Sequence, residues 1–248
     1  MIKLAIGLVI KGGEQFIEGW LSCAEKLGSI IYVVDNGADP KAKALLLASP
    51  KVKQYLIQKD MGRNQSRDYQ KILDMAREDN CDWIFNLDID EFLPLINGKE
   101  LKAFLLNYEE TSIGFPLFEM RNDKNHYIMV MDNGLWKHGR LCHKCYKPLS
   151  HFAFDLNDKH GQAIPHNCPR SKAYITLPIQ HFGHMTKELR DEKREKNSNF
   201  KDSMEQDAVW MQESSEGMRL AEFNQKTFEA IKRGGEANEE DINNSFSL

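Results

Sequence analysis

The chain has 248 residues, of which 41% are hydrophobic and 28% charged, with a formal net charge of −4. This length supports one large α/β domain, or a domain with a small annex. The mild acidity excludes a global basic field for nucleic acid while leaving room for a local basic groove. No apolar run approaches the ~20 residues of a membrane-spanning helix. Met1–Ile10 reads as a first strand rather than a signal peptide. Five cysteines form no paired framework, so the expected compartment is a reducing cytoplasm.

Ile2–Ile10 is a near-continuous apolar run, as a central parallel strand requires. Phe16, Trp20, Leu21, Ala24 and Leu27 then recur at helical spacing, and Gly28 ends the helix. Ile30–Val34 is a second strand, ending in Asp35-Asn36-Gly37. Pro40–Ala48 predicts a short helix and Val52–Ile57 a third strand. Asn64–Glu78 predicts a helix with Tyr69, Ile72, Leu73 and Ala76 on one face, and Trp83–Leu87 a fourth strand. This alternation implies a mostly parallel sheet flanked by helices.

Beyond Glu91 the pattern changes. A helix is predicted over Lys99–Tyr108, and strands over Ile113–Met120 and His126–Met131 about an Asn122–Asn125 turn. Gly134–Pro178 reads as loop-rich, with short strands near Cys142–Lys147 and Ala173–Ile179. Helices are predicted over Thr186–Phe200 and Ala208–Ile231. Gly234–Leu248 reads as a frayed tail. Residues 1–95 form the first half of the domain, and 96–233 the second half with its C-terminal helices.

The fourth strand runs into Asp88-Ile89-Asp90-Glu91. On an extended chain Asp88 and Asp90 point to the same side, and Glu91 to the other, where it would tie down the following loop. Two hard carboxylates at the carboxyl end of a strand suit Mg2+ or Mn2+ carrying a phosphate-bearing substrate. The plainer reading is a strand entering a polar loop with a capping Asp. Asp35 stands at another strand end. Between them Arg63 and Arg67 offer bidentate contact to phosphate or a base edge, making a nucleotide-diphosphate site. Alternatively Arg67 pairs with Asp74 or Glu78 on its own helix and Asp35 caps the next element.

The order of motifs resembles the family-two-type glycosyltransferases with the nucleotide-sugar-binding GT-A fold. The resemblance rests on Lys11-Gly12-Gly13 with Ile17-Glu18-Gly19-Trp20-Leu21, on Val34–Asp39, on Trp83–Phe92, and on Gln180–Thr186 followed by Lys193. It covers residues 1–95 well and is patchy to about 195. Gly12-Gly13 departs from an Asn-Glu pair in the family pattern, and His184 from a Tyr.

The resemblance implies a donor site in which Asp35 accepts from the nucleobase (uracil N3–H for a UDP donor). Lys11, Arg63 and Arg67 would join it on the base or diphosphate. Asp88 and Asp90 would hold Mn2+ or Mg2+, and His181 would be a third ligand from the second half. On residue type alone His181 is equally a buried, hydrogen-bonded histidine. The second half would be a loop-rich acceptor-binding half. An inverting transfer needs a carboxylate base. Asp155 and Asp158, in a loop-like segment, are the candidates, with Glu119 a third.

Cys142-His143-Lys144-Cys145, followed by His166 and Cys168, offers a rival zinc reading. The expected activity is metal-dependent transfer of a sugar from a UDP-linked donor to a hydroxyl acceptor, such as a glycan or a hydroxylated base in DNA. A nucleotidyltransferase on the same fold is the alternative. An inactive nucleotide-sugar-binding or zinc-stabilised module is a third reading, which Gly12-Gly13 favours.

Overall fold

A computed structural model describes residues 2–58, 64–93, 98–132, 135–138, 140–158, 162–171, 177–183, 185–191 and 218–222. The elements are β1 (Leu4–Gly12), α1 (Ile17–Leu27), β2 (Ile30–Ala38), α2 (Pro40–Ala48), β3 (Val52–Ile57), α3 (Gln65–Glu78), β4 (Trp83–Asn86), β5 (Glu91–Phe92) and α4 (Gly98–Leu106). They are followed by β6 (Ser112–Glu119), β7 (His126–Asp132), β8 (Leu135–His138), β9 (Arg140–Tyr146), β10 (Ile179–His181) and β11 (Met218–Glu222). The chain divides into two compact units. The first is Met1–Phe115 with Cys142–Leu177, and the second is Pro116–Leu141 with the residues from Pro178 on.

The first unit is built on the parallel strands β3-β2-β1-β4, extended by β9, which runs antiparallel to β4. The sheet is α/β and mostly parallel, with helices against it, as the alternation of elements predicts. Leu4, Ala5, Ile6, Leu8 and Ile10 of β1 are all fully buried, as befits a strand covered on both faces. α1 buries Ile17, Trp20, Ala24 and Leu27, one stripe at helical spacing. α3 begins at Asn64, whose Oδ1 accepts from the Arg67 backbone N–H at 2.9 Å as an N-cap. Its buried face holds Tyr69, Ile72, Leu73 and Ala76, and also Asp68.

In the second unit β10 pairs in parallel with Leu117–Glu119 of β6, and β7 lies between β8 and β11 in an antiparallel three-stranded sheet. Two expectations are corrected here. Residues 135–138, read as loop, form β8, which pairs with β7. Residues 218–222, inside the predicted helix 208–231, form β11 opposite His126–Val130. Strand pairing overrides a weak helical periodicity there. The predicted helix 186–200 is helical over 187–191, and its remainder lies outside the described residues, as do Arg63, His184, Lys193 and the tail 234–248. Among the described residues no helix is long and apolar enough to cross a membrane.

Candidate functional site

β4 ends at Asn86, and the chain turns before Glu91: the Glu91 N–H donates to the Asp88 carbonyl at 3.0 Å. Asp88-Ile89-Asp90 therefore lie in a turn, and the side-chain alternation of an extended chain does not apply to them. The turn is fixed from several sides. Leu87 N–H donates to the Gly7 carbonyl at 3.0 Å, and Trp20 Nε1–H to the Leu87 carbonyl at 3.2 Å. The Phe92 ring lies over Gly19, where a Cβ would come within 2.7 Å of it. Ile89 lies over Gly13, whose φ of +96° favours glycine and where a Cβ would meet Ile89 Cγ1 at 2.8 Å. Gly13 thus has a packing role: it admits the turn that carries Asp88.

Both Asp88 oxygens are engaged. Tyr69 donates its hydroxyl to Oδ1 at 2.9 Å, and Lys144 its ammonium to Oδ2 at 2.8 Å. The Lys144 Nζ is also 2.8 Å from Glu91 Oε2, and that same oxygen accepts the Asp88 N–H at 2.9 Å. Glu91 is 2% exposed and Lys144 7%, so the ion pair is buried on both of these partners while Asp88 remains part-exposed. Burial disfavours the charged forms of Asp88 and Lys144, but their mutual attraction prevails. The Asp88 carboxyl is held below its ordinary range, against a push upward from burial and Asp90. Lys144 is held well above its own, with Glu91 contributing after Asp88. The expectation that Glu91 points away from Asp88 is corrected: the turn brings both to one ammonium.

Asp35 lies within β2 rather than at its end, 4% exposed. Its Oδ1 accepts the backbone N–H groups of Gly37 (2.8 Å) and Ala38 (2.6 Å), and its Oδ2 the Tyr55 hydroxyl at 2.7 Å. Burial pushes this carboxyl up; the three hydrogen bonds and Lys43 outweigh it and leave the group below its ordinary range. Next to it, the fully buried Asp68 takes Asn36 Nδ2 at 2.7 Å and Gln58 Nε2 at 3.1 Å. Arg67 Nε also reaches Asp68, its sequence neighbour, at 3.1 Å. Lys11 is exposed near the carboxyl end of β1. Arg63 lies outside the described residues.

The loop bearing Asp155 and Asp158 is fastened along α3. Arg77 donates to the carbonyls of Leu149 and Phe152, Gln70 Oε1 accepts from Phe154 N–H, and Asn64 Nδ2 donates to the Leu156 carbonyl. Gln70 and Arg77, seven positions apart, share a face of α3, and the N-cap Asn64 adds a contact at the helix start. Phe154 packs on Tyr69 with ring centroids 5.7 Å apart, joining this loop to the side chain that bonds Asp88. Asp155 and Asp158 are both exposed, and Asp155 Oδ1 caps a local turn through Asn157 N–H.

In the second unit His181 is 7% exposed, with Nδ1 2.5 Å from Glu119 Oε2. Glu119 is 1% exposed, and this contact makes it the histidine's partner.

Asp88 and Asp90 supply the hard oxygen chemistry a divalent ion wants, and Asp88 is accessible to solvent. An ion taking Asp88 Oδ2 would take the place that Lys144 holds. Among the described residues no group of three or more His, Cys, Asp or Glu is gathered to hold a metal. The zinc reading therefore finds no site: Cys142 and Cys145, three apart on β9, fall on opposite faces of the strand, and Cys145 is fully buried with its thiol pushed far up by burial.

Lys144, Tyr69, Tyr55 and Asp68 were not singled out as site residues from sequence. A lysine amid Cys-His-Lys-Cys-Tyr on a strand, and an acid on the apolar face of α3, were the available signals.

No family model matches the chain, and no curated protein does either. Among solved structures it is similar to S. aureus TarS, with a TM-score of 0.46 and 13% identity over 80% of this chain. It is similar also to the mannosyltransferase PcManGT from Pyrobaculum calidifontis, in complex with GDP-Man and Mn2+, with a TM-score of 0.45 and 10% identity over 87% of this chain. A third likeness is to 4-diphosphocytidyl-2C-methyl-D-erythritol synthase, with a TM-score of 0.37 and 16% identity over 60% of this chain and 76% of that one. The chain spans 40% of the length of TarS and 65% of that of PcManGT.

Proposed function

We propose that this chain is a nucleotide-sugar glycosyltransferase of the GT-A type, moving a sugar from a UDP-linked donor to a hydroxyl acceptor with inversion. The observation that carries the reading is the Asp88 turn. It is a fixed, part-exposed carboxylate site at the carboxyl end of a parallel strand, in the same unit as the Asp35–Asp68–Arg67 polar group. Open α/β sheets bind ligands beyond the carboxyl ends of their strands.

In this reading Asp35, preorganised by the Gly37 and Ala38 N–H groups, keeps lone-pair capacity for a base N–H. Arg67, oriented by Asp68, meets the base or diphosphate together with Lys11 and Arg63. Asp88 and Asp90 would hold Mn2+ or Mg2+. When bound, that ion would offset charge on the diphosphate leaving group. Glu119 on His181 Nδ1 is the kind of carboxylate partner that orients a ligating imidazole. Asp155 or Asp158, on the loop held by α3, would take the acceptor's proton.

A thermal-shift screen of nucleotide sugars with Mn2+ tests the donor class, because a ligand at 100 times its Kd stabilises by about 2.7 kcal/mol. Calorimetry then tests the site: Asp88→Ala and Asp90→Ala should abolish metal-dependent UDP binding. Unchanged UDP/Mn2+ affinity refutes the metal role, and pyrophosphate release from a nucleoside triphosphate would replace sugar transfer with nucleotidyl transfer.

A further inference from the structure

Lys144 is a charged residue of this site for which the proposed reaction gives no role. Its ammonium is 2.8 Å from Asp88 Oδ2 and 2.8 Å from Glu91 Oε2, and Lys144 is 7% and Glu91 2% exposed. Such a lysine is a cation already in place at the carboxylate that the proposed function gives to a divalent ion. Its charge and the ion's would lie on one carboxylate, in surroundings that screen them little. Glu91 cannot follow the ion, since its Oε2 also accepts the Asp88 N–H that closes the turn. It therefore remains as a second anchor for the ammonium.

We infer that Lys144 is an exchangeable counter-ion of Asp88. It would occupy the carboxylate when no divalent cation is bound and withdraw onto Glu91 when one enters. This rests on the proposed metal role of Asp88 and adds a consequence. The intrinsic affinity for free metal would be kept low by Lys144, so the site loads chiefly when a diphosphate brings further charge to the ion. Lys144 acts here as a positioning residue, with Glu91 as its second seat.

The test is Mn2+ binding to the nucleotide-free protein, followed by electron paramagnetic resonance of the free ion. Lys144→Met should bind Mn2+ about tenfold or more tightly than wild type, because a competing positive charge has gone. Lys144→Arg, which keeps the charge, should stay near wild type. Lys144→Met leaves Glu91 buried without its cation, so the double variant Lys144→Met with Glu91→Gln carries the comparison if the single one does not fold. It should also bind more tightly than wild type. Asp88→Asn should abolish binding in every background. Equal or weaker Mn2+ affinity in both charge-removed variants, with wild type binding through Asp88, overturns the exchange and leaves the metal role standing. No Mn2+ binding by any of these proteins overturns both.

Discussion

Replacing Gly13 by alanine imposes two separable costs on the turn that carries Asp88. The first is backbone strain: Gly13 has φ +96°, and an L residue forced into that half of the map loses about 1–2 kcal/mol. The second is steric. The new Cβ would stand 2.8 Å from Ile89 Cγ1, closer than such carbons approach, so Ile89 must shift, at about 1–3 kcal/mol for an overpacked contact. The sum is about 2–5 kcal/mol, and a central value near ~3 kcal/mol lowers Tm by about 6–12 °C in a chain of this size. Differential scanning fluorimetry or urea unfolding reads this directly. Truncating Ile89 to Ala in the same background should return the steric part and not the strain. The double-mutant cycle should therefore show a favourable coupling of about 0.5–3 kcal/mol. A Gly13→Ala protein melting within about 1 °C of wild type, or a cycle with zero coupling, would refute the claim that Gly13 makes room for the Asp88 turn.

Tyr69→Phe deletes the hydroxyl on Asp88 Oδ1 without changing the ring that packs on Phe154. A hydrogen bond to a charged acceptor is worth about 1.5–3 kcal/mol, so UDP/Mn2+ affinity measured by calorimetry should fall by about tenfold or more, and unchanged affinity would exclude a role in orienting Asp88. Asp35 gives a pH prediction. Its folded-state pKa is lowered, so its contribution to stability is present above the unfolded value of about 3.9 and is lost as pH falls through the folded value. Urea midpoints measured from pH 5 to pH 2 should drop less steeply in Asp35→Asn than in wild type; parallel profiles would count against the Gly37, Ala38 and Tyr55 bonds as its stabilisers. For the cysteines, a zinc indicator added during thiol titration should detect no zinc, and one equivalent released would restore the metal reading of Cys142 and Cys145.

Much of the first unit was legible from its sequence. The unbroken apolar runs of β1, β2 and β4 and the helical stripe of α1 can be buried in few other ways, and hydrophobic period is a local property of the chain. Asp88 and Asp35 were legible as candidates because each stands where an apolar strand gives way to acid. What each carboxylate contacts was not. The alternation rule placed Asp88 and Asp90 together and Glu91 apart, yet β4 ends at Asn86 and the chain turns, so Glu91 comes back to the Asp88 N–H.

The sequence by itself determined the order of elements in residues 1–95 and the acids that follow its apolar runs. The tertiary structure alone decided the partners. Lys144 reaches Asp88 across 56 positions of sequence because β9 pairs with β4, and α3 holds the Asp155 loop through side chains at 64, 70 and 77. It also decided that residues 218–222 are a strand, since β7 offered them an edge to pair with. Periodicity records which face of an element is apolar. It carries no record of which distant residue will neutralise a buried charge, because that partner is set by strand order and register, and these are properties of the whole sheet.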